Sequence, residues 1–142
     1  MIWKYDFGLE VLNTGQGRTL MSHLQIDYVE KGEDYLVARM PVTPDTHNPI
    51  GIMHGGAHIV LAESVGSLAS NLCLDNSKEY ALGLEVNGNH IKSIKEGYVY
   101  ATARPVHLGR NTHVWEIKNT NEYGELLHIC RLTTFVKQIL KP

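Results

Sequence analysis

The stretch "GIMHGGAHIVLAESVGSLAS", residues 51–70, constrains this fold more than any other, because from its glycine pair onward it reads as a long helix that is apolar almost all the way round. Val60, Leu61, Val65, Leu68, Ala69 and Leu72 leave it no broad charged face, so the rest of the chain is expected to wrap it. Glu63 is the one charged residue between Ile50 and Leu74, and no Lys or Arg occurs from Ile50 to Asn76. At about 100° per residue Glu63 falls within about 20° of Gly56 and Ser70 and about 40° of Ser67, which makes a narrow stripe of small and polar positions. A Glu on an enclosed helix has a partner from a distant strand, faces a cleft, or marks an unrecognised exposed end of the helix.

The elements around this helix read as strands. "HLQIDYVEKGEDYLVARMPV" predicts two strands about a turn at Lys31 to Asp34, with Leu36, Ala38 and Met40 alternating with Val37 and Arg39. "TPDTHNPIG" is a loop by its Pro, Asp and Asn content, and residues 5–14 suggest a short helix closed by Gly15 and Gly17. Four further strands are expected at Tyr80 to Ile91, Gly97 to Val106, Thr112 to Asn119 and Leu126 to Gln138. Connections this short favour antiparallel pairing, since a parallel crossover needs a dozen residues or more. The predicted architecture is α+β, one antiparallel sheet around one central helix.

Bulk properties bound the function. A chain of 142 residues suits a single domain spanning 1–142. Thirteen basic and 15 acidic residues are interspersed, with no basic stripe for a nucleic acid and no polybasic run for a membrane surface. "MIWKYDFGLE" has no apolar leader and no run approaches the roughly 20 apolar residues of a membrane span, which predicts a cytoplasmic protein. Cys73 and Cys130 are far apart and read as reduced, packed thiols.

At the front of the helix, "HGG" at 54–56 puts two residues without side chains where backbone N–H groups lack intrahelical partners. That end suits an oxyanion, where one aimed donor is typically worth about 3 kcal/mol of barrier. The same glycines also suit close packing against a strand. Other chemistries fit less well. Ser64 and Ser67 lack the G-x-S-x-G context of a nucleophile elbow. His54 and His58 have the i, i+4 spacing of zinc ligands, but H-E-x-x-H is missing and Glu63 points about 140° from His58. "GLEVNGNH" does not match a dinucleotide fingerprint, and "HLGR" at 107–110 reads as a turn carrying a cation.

The blocks "HNPIGIMHGGAHIVLAESVGSLAS", "GLEVNGNHIKSIKEG", "PVHLGRNTHVWEI" and "CRLTTFV" together resemble the hotdog-fold acyl-CoA thioesterases over nearly the whole chain. The likeness is to the branch with a helix-borne Glu, which includes the 1,4-dihydroxy-2-naphthoyl-CoA hydrolase of menaquinone synthesis and the proofreading thioesterase of enterobactin synthesis. It implies a curved antiparallel sheet around the helix, and a homodimer with active sites between protomers that often pairs into a tetramer. Glu63 then matches the catalytic carboxylate, as nucleophile or general base, and Gly55 the oxyanion donor. His54 and Ser67 match supporting polar groups, and Asn48 stands where close relatives often carry the longer Gln. His90, Lys92 and Ser93, with His107, Gly109 and Arg110, match segments that line the CoA site, Lys92 replacing a common Arg.

The resemblance implies hydrolysis of an acyl-CoA with an aromatic or cyclic acyl group, on CoA or an acyl-carrier protein. Thioesters expel a good leaving group, so neither a metal nor a cofactor is called for. A non-catalytic acyl-CoA sensor or carrier, and a hydratase or dehydratase in which the acid moves a proton on the acyl chain, are the alternatives on the same fold.

Overall fold

The computed structural model describes residues 1–140. The central helix α3 runs Gly55–Leu72, preceded by the short helices α1, Leu9–Thr14, and α2, Leu20–His23. Six strands form one sheet: β1 Asp27–Lys31, β2 Leu36–Pro41, β3 Glu79–His90, β4 Tyr98–Leu108, β5 Thr112–Thr120 and β6 Leu126–Gln138. Their order is β1-β2-β4-β5-β6-β3, and every neighbouring pair is antiparallel. The expected antiparallel sheet and long helix are therefore present, as the hotdog architecture requires.

Two local expectations need correction. Residues 5–8 are not helical and α1 starts only at Leu9. A second helix, α2, takes Leu20–His23 and delays β1 to Asp27. Its start is set by reciprocal capping, with the Ser22 N–H donating to Thr19 Oγ1 at 3.4 Å and the Thr19 N–H to Ser22 Oγ at 3.0 Å. The Pro44–Thr46 part of the predicted loop forms one 3₁₀ turn.

α3 connects β2 to β3 and so carries the chain across the sheet to its far edge. Leu61, Ala62, Val65, Gly66 and Ala69 are buried beneath it, with Leu36, Met40, Trp115, Ile117 and Leu132 forming the opposing floor. Gly66 lets the two layers approach, since a methyl built there would lie 2.7 Å from Leu132 Cδ2. The sheet covers only one face of the rod. On the other flank Val60, Glu63, Ser64, Ser67 and Leu68 are half-buried, covered in part by residues before β1 such as Leu20 and Met21. No helix among the described residues is long and apolar enough to cross a membrane.

Candidate active site

The leading end of α3 is built by its N-cap. His54 has extended backbone, and its Nδ1 accepts from the Gly56 N–H at 2.8 Å while its carbonyl accepts from the Ala57 N–H at 2.9 Å. The Gly55 N–H meets no acceptor among the described residues, which leaves one donor of the helix end open. The loop before it is held by Asn48, whose Oδ1 accepts from the Ile50 and Ile52 N–H groups at 3.1 and 3.4 Å. Its oxygen is thereby spent on the turn, and only its Nδ2–H groups remain to meet a ligand. Asn48, Gly55, His90, Lys92 and Ser93 line one cavity of about 270 Å³ together with Ile52, Met53, His58 and Ile91.

Glu63 lies in a different cavity. With Ser67, Ser64 and Asn71 it lines a groove of about 400 Å³ whose apolar wall is Leu20, Met21, Tyr28, Val60 and Leu68. The carboxylate is half-buried and has neither an ion pair nor a hydrogen bond among the described residues. Its Oε1 rests against Gly83 of β3, where an added methyl would lie 2.5 Å from it. β3 is pinned to the helix at this level by Asn71, whose Oδ1 accepts from the Ala81 N–H at 2.9 Å and whose Nδ2 donates to the Ala81 carbonyl at 3.0 Å. Ser70, expected on the same stripe, instead turns under the sheet. Its hydroxyl accepts from Trp115 Nε1 at 2.6 Å and lies 2.8 Å from Thr134 Oγ1.

One chain therefore does not bring Glu63 and Gly55 together. Eight residues of helix separate them by about 12 Å along the axis, and they open into separate cavities. The expected CoA-lining residues divide likewise. Lys92 sits beside the first cavity but is ion-paired with Glu125. His107 lies at the end of β4, and Gly109 and Arg110 lie in the turn that follows to β5, where the Gly109 N–H donates to the Thr112 carbonyl at 2.9 Å. That turn is at the opposite end of the sheet. Thr112 pairs with Phe135, whereas His90 pairs with His128 and His128 with Asn119, about 23 Å further along β5.

Behind the first cavity lies a polar group that the sequence reading did not assemble. Asn119, His128 and His90 stand level on three adjacent strands, and His58 descends on them from α3. The His58 and His128 rings are stacked at 5.3 Å with 12° between planes, and His128 Nδ1 lies 3.0 Å from His90 Nδ1. Asn119 Nδ2 donates to both the carbonyl and Nδ1 of His58, at 3.1 and 3.2 Å. Burial first, and then the neighbouring rings, push the pKa of His58 down to about 4, and burial with His90 does the same to His128. The rings lie alongside one another, and no group of three or more His, Cys, Asp or Glu among the described residues is placed to hold a metal. Both cysteines are free, and burial raises each thiol to about 11, so both stay protonated at neutral pH.

Of these residues, Gly83 had a signal in the sequence, since a Gly inside a strand pattern marks close approach of another group. His58 and His128 had none, because their contact depends on strand register.

Residues 50–128 match the family profile described as Thioesterase superfamily. The chain is 43% identical over 136 residues to the 1,4-dihydroxy-2-naphthoyl-CoA hydrolase of Escherichia coli, which covers 96% of this chain and 99% of that protein. It is 40% identical over 136 residues to the proofreading thioesterase EntH of Cronobacter turicensis, covering 96% of this chain and 98% of the relative. Among solved structures it is similar to a mutant thioesterase from Pseudomonas aeruginosa, with a TM-score of 0.96, 45% identity, and coverage of 98% of this chain and 100% of that one. With the fold and these relatives in agreement, the chain belongs to the thioesterase superfamily, the hotdog-fold enzymes that hydrolyse thioesters.

Proposed function

We propose that this enzyme hydrolyses an aromatic acyl-CoA of the 1,4-dihydroxy-2-naphthoyl-CoA kind, with Glu63 as the carboxylate catalyst and the Gly55 N–H as oxyanion donor. The observation that carries the reading is the unpaired Glu63 carboxylate, set in an apolar groove against Gly83 on the same helix whose first N–H is open. As general base, Glu63 takes a proton from water, whose oxygen attacks the carbonyl carbon; the negative oxygen is held at Gly55 and the departing CoA thiolate regains the proton. As nucleophile, a Glu63 oxygen attacks directly, the thiolate leaves, and water then cleaves the resulting anhydride.

Either route needs the two groups within reach of one thioester, and the separation of the two cavities supports a site shared between protomers. β3 is a twelve-residue strand at the sheet edge, and it leaves Leu82 51% and Leu84 62% exposed. Such an edge favours pairing with another chain. A two-fold axis through the middle of β3, between Leu84 and Glu85, reverses the partner's strand, so Gly83 stands opposite the partner's Val86 and about 13 Å along the strand from the partner's His90, against about 23 Å from its own. That arrangement sets Glu63 of one chain toward Gly55 of its partner. It also brings the His107, Gly109 and Arg110 turn toward the partner's Lys92 and Ser93 for the CoA arm. Pairing of two such dimers belongs to the same reading.

The test is thiol release from a panel of aryl and aliphatic acyl-CoAs by the native protein and by Glu63→Gln. Turnover on aryl-CoAs that falls at least 1000-fold in Glu63→Gln, with the assembly intact, supports the assignment. Tight binding with no thiol release points instead to a sensor, and substantial turnover by Glu63→Gln rejects the carboxylate role.

A further inference from the structure

We propose that His90 donates a hydrogen bond from Nε2 into the thioester cavity beside the Gly55 N–H, and that His128 is the positioning residue that holds His90 in the required tautomer. The His90 ring lies across the leading end of α3 and lines the cavity with Gly55; a methyl built on Gly55 would be 2.5 Å from His90 Nε2. The Gly55 N–H does not donate to that nitrogen, so the two atoms stand side by side at the cavity wall.

The tautomer follows from the hydrogen-bond inventory. With 3.0 Å between His128 Nδ1 and His90 Nδ1, one ring donates and the other accepts. If His90 donated, the neutral His128 ring would carry its proton on Nε2, which is fully buried and has no partner among the described residues. A buried N–H without an acceptor is rarer and costlier than a bare buried lone pair. His128 is therefore the donor, its Nε2 is bare, and the His90 proton sits on Nε2 facing the cavity. The stack holds His128 in place. Asn119 must present Nδ2 to reach the His58 carbonyl, so it fixes His58 with Nδ1 unprotonated, and His58 lies flat on His128. A neutral imidazole can polarise a carbonyl in this way without carrying charge to the helix end.

The kinetic part rests on the hydrolase reading above; the tautomer does not. Two measurements keep them separate. The first is the ¹⁵N spectrum of the intact protein labelled in histidine, with the His90 signals identified by their loss in His90→Gln. A bare Nδ1 and a protonated Nε2 are expected for His90 at neutral pH, and the opposite pattern overturns the proposal whether or not any substrate is cleaved. The second compares His128→Leu, which removes the donor, with His128→Asn, whose amide nitrogen can stand near the place of Nδ1. With an aryl-CoA, kcat is expected to fall about tenfold in His128→Leu at nearly constant KM and to recover to within threefold in His128→Asn. Equal losses in both variants, or a change confined to KM, overturn the positioning role. Should His128→Leu fail to fold, the ¹⁵N spectrum of the native protein still decides the tautomer.

Discussion

Substituting Gly83 by Ala tests the placement of the carboxylate without touching it. Gly83 lies in extended strand backbone with no positive φ, so Ala fits its conformation. The new methyl would stand 2.5 Å from Glu63 Oε1, and ordinary contact begins near 3.4 Å, so the carboxylate must retreat by about 0.9 Å. Because the atom displaced is the tip of a flexible side chain, the fold absorbs the change cheaply. Replacing Gly in a strand also removes an entropic cost, so stability is expected to hold or rise by up to about 1 kcal/mol. Catalysis is less forgiving. A misplacement of about 1 Å from near-attack geometry costs on the order of 100-fold, or about 2.7 kcal/mol of barrier. Gly83→Ala should therefore melt like the native protein, keep its oligomeric state on gel filtration, and release thiol from an aryl-CoA 30- to 100-fold more slowly, roughly the penalty just given. Turnover within threefold of native would show that contact with Gly83 does not set the reacting position of Glu63. A loss of activity matched by a loss of stability would assign the effect to the fold instead.

Ser70→Ala leaves the fully buried Trp115 Nε1–H without its acceptor and should cost about 1–3 kcal/mol in urea unfolding followed by tryptophan fluorescence. Asn71→Ala unpairs the N–H and carbonyl of buried Ala81 and frees β3 beside Glu63, so at a similar loss of stability it should lower kcat more than Ser70→Ala does. Stability should also fall in acid. His58 and His128 have folded pKa values near 4 against 6.5 in the open chain, so between those limits the unfolded state binds more protons and stability is lost as pH drops from about 6.5 to 4. The slope of unfolding free energy should approach two protons, about 2.7 kcal/mol per pH unit, and His58→Phe should remove about half of it. A flat profile across that window would refute the burial of two neutral rings.

Much of this protein could be read from residue order, because periodicity and turn chemistry are local. The apolar run around Glu63 announced α3, alternation announced the strands, and the absence of Lys or Arg from Ile50 to Asn76 left the acid without a nearby partner. The short helix α2 escaped because it is only four residues long and rests on one Thr19–Ser22 capping pair, too small a signal to read as a helix. Ser70 escaped for another reason. The sheet closes so near the helix that about 60° of rotation from Ser67 passes from groove to core.

The rest belongs to long-range pairing. That β3 lies at the edge of the sheet, that Gly83 backs the carboxylate, and that residues 58, 90, 119 and 128 meet in one polar group all depend on strand order and register. The separate openings of the Glu63 and Gly55 cavities are likewise decided only in three dimensions. Local order determines which residues are candidates for the chemistry, since side-chain type and helix or strand period are properties of neighbours. Where those residues stand relative to one another is decided by which strands pair, and that choice is made by packing among segments dozens of residues apart.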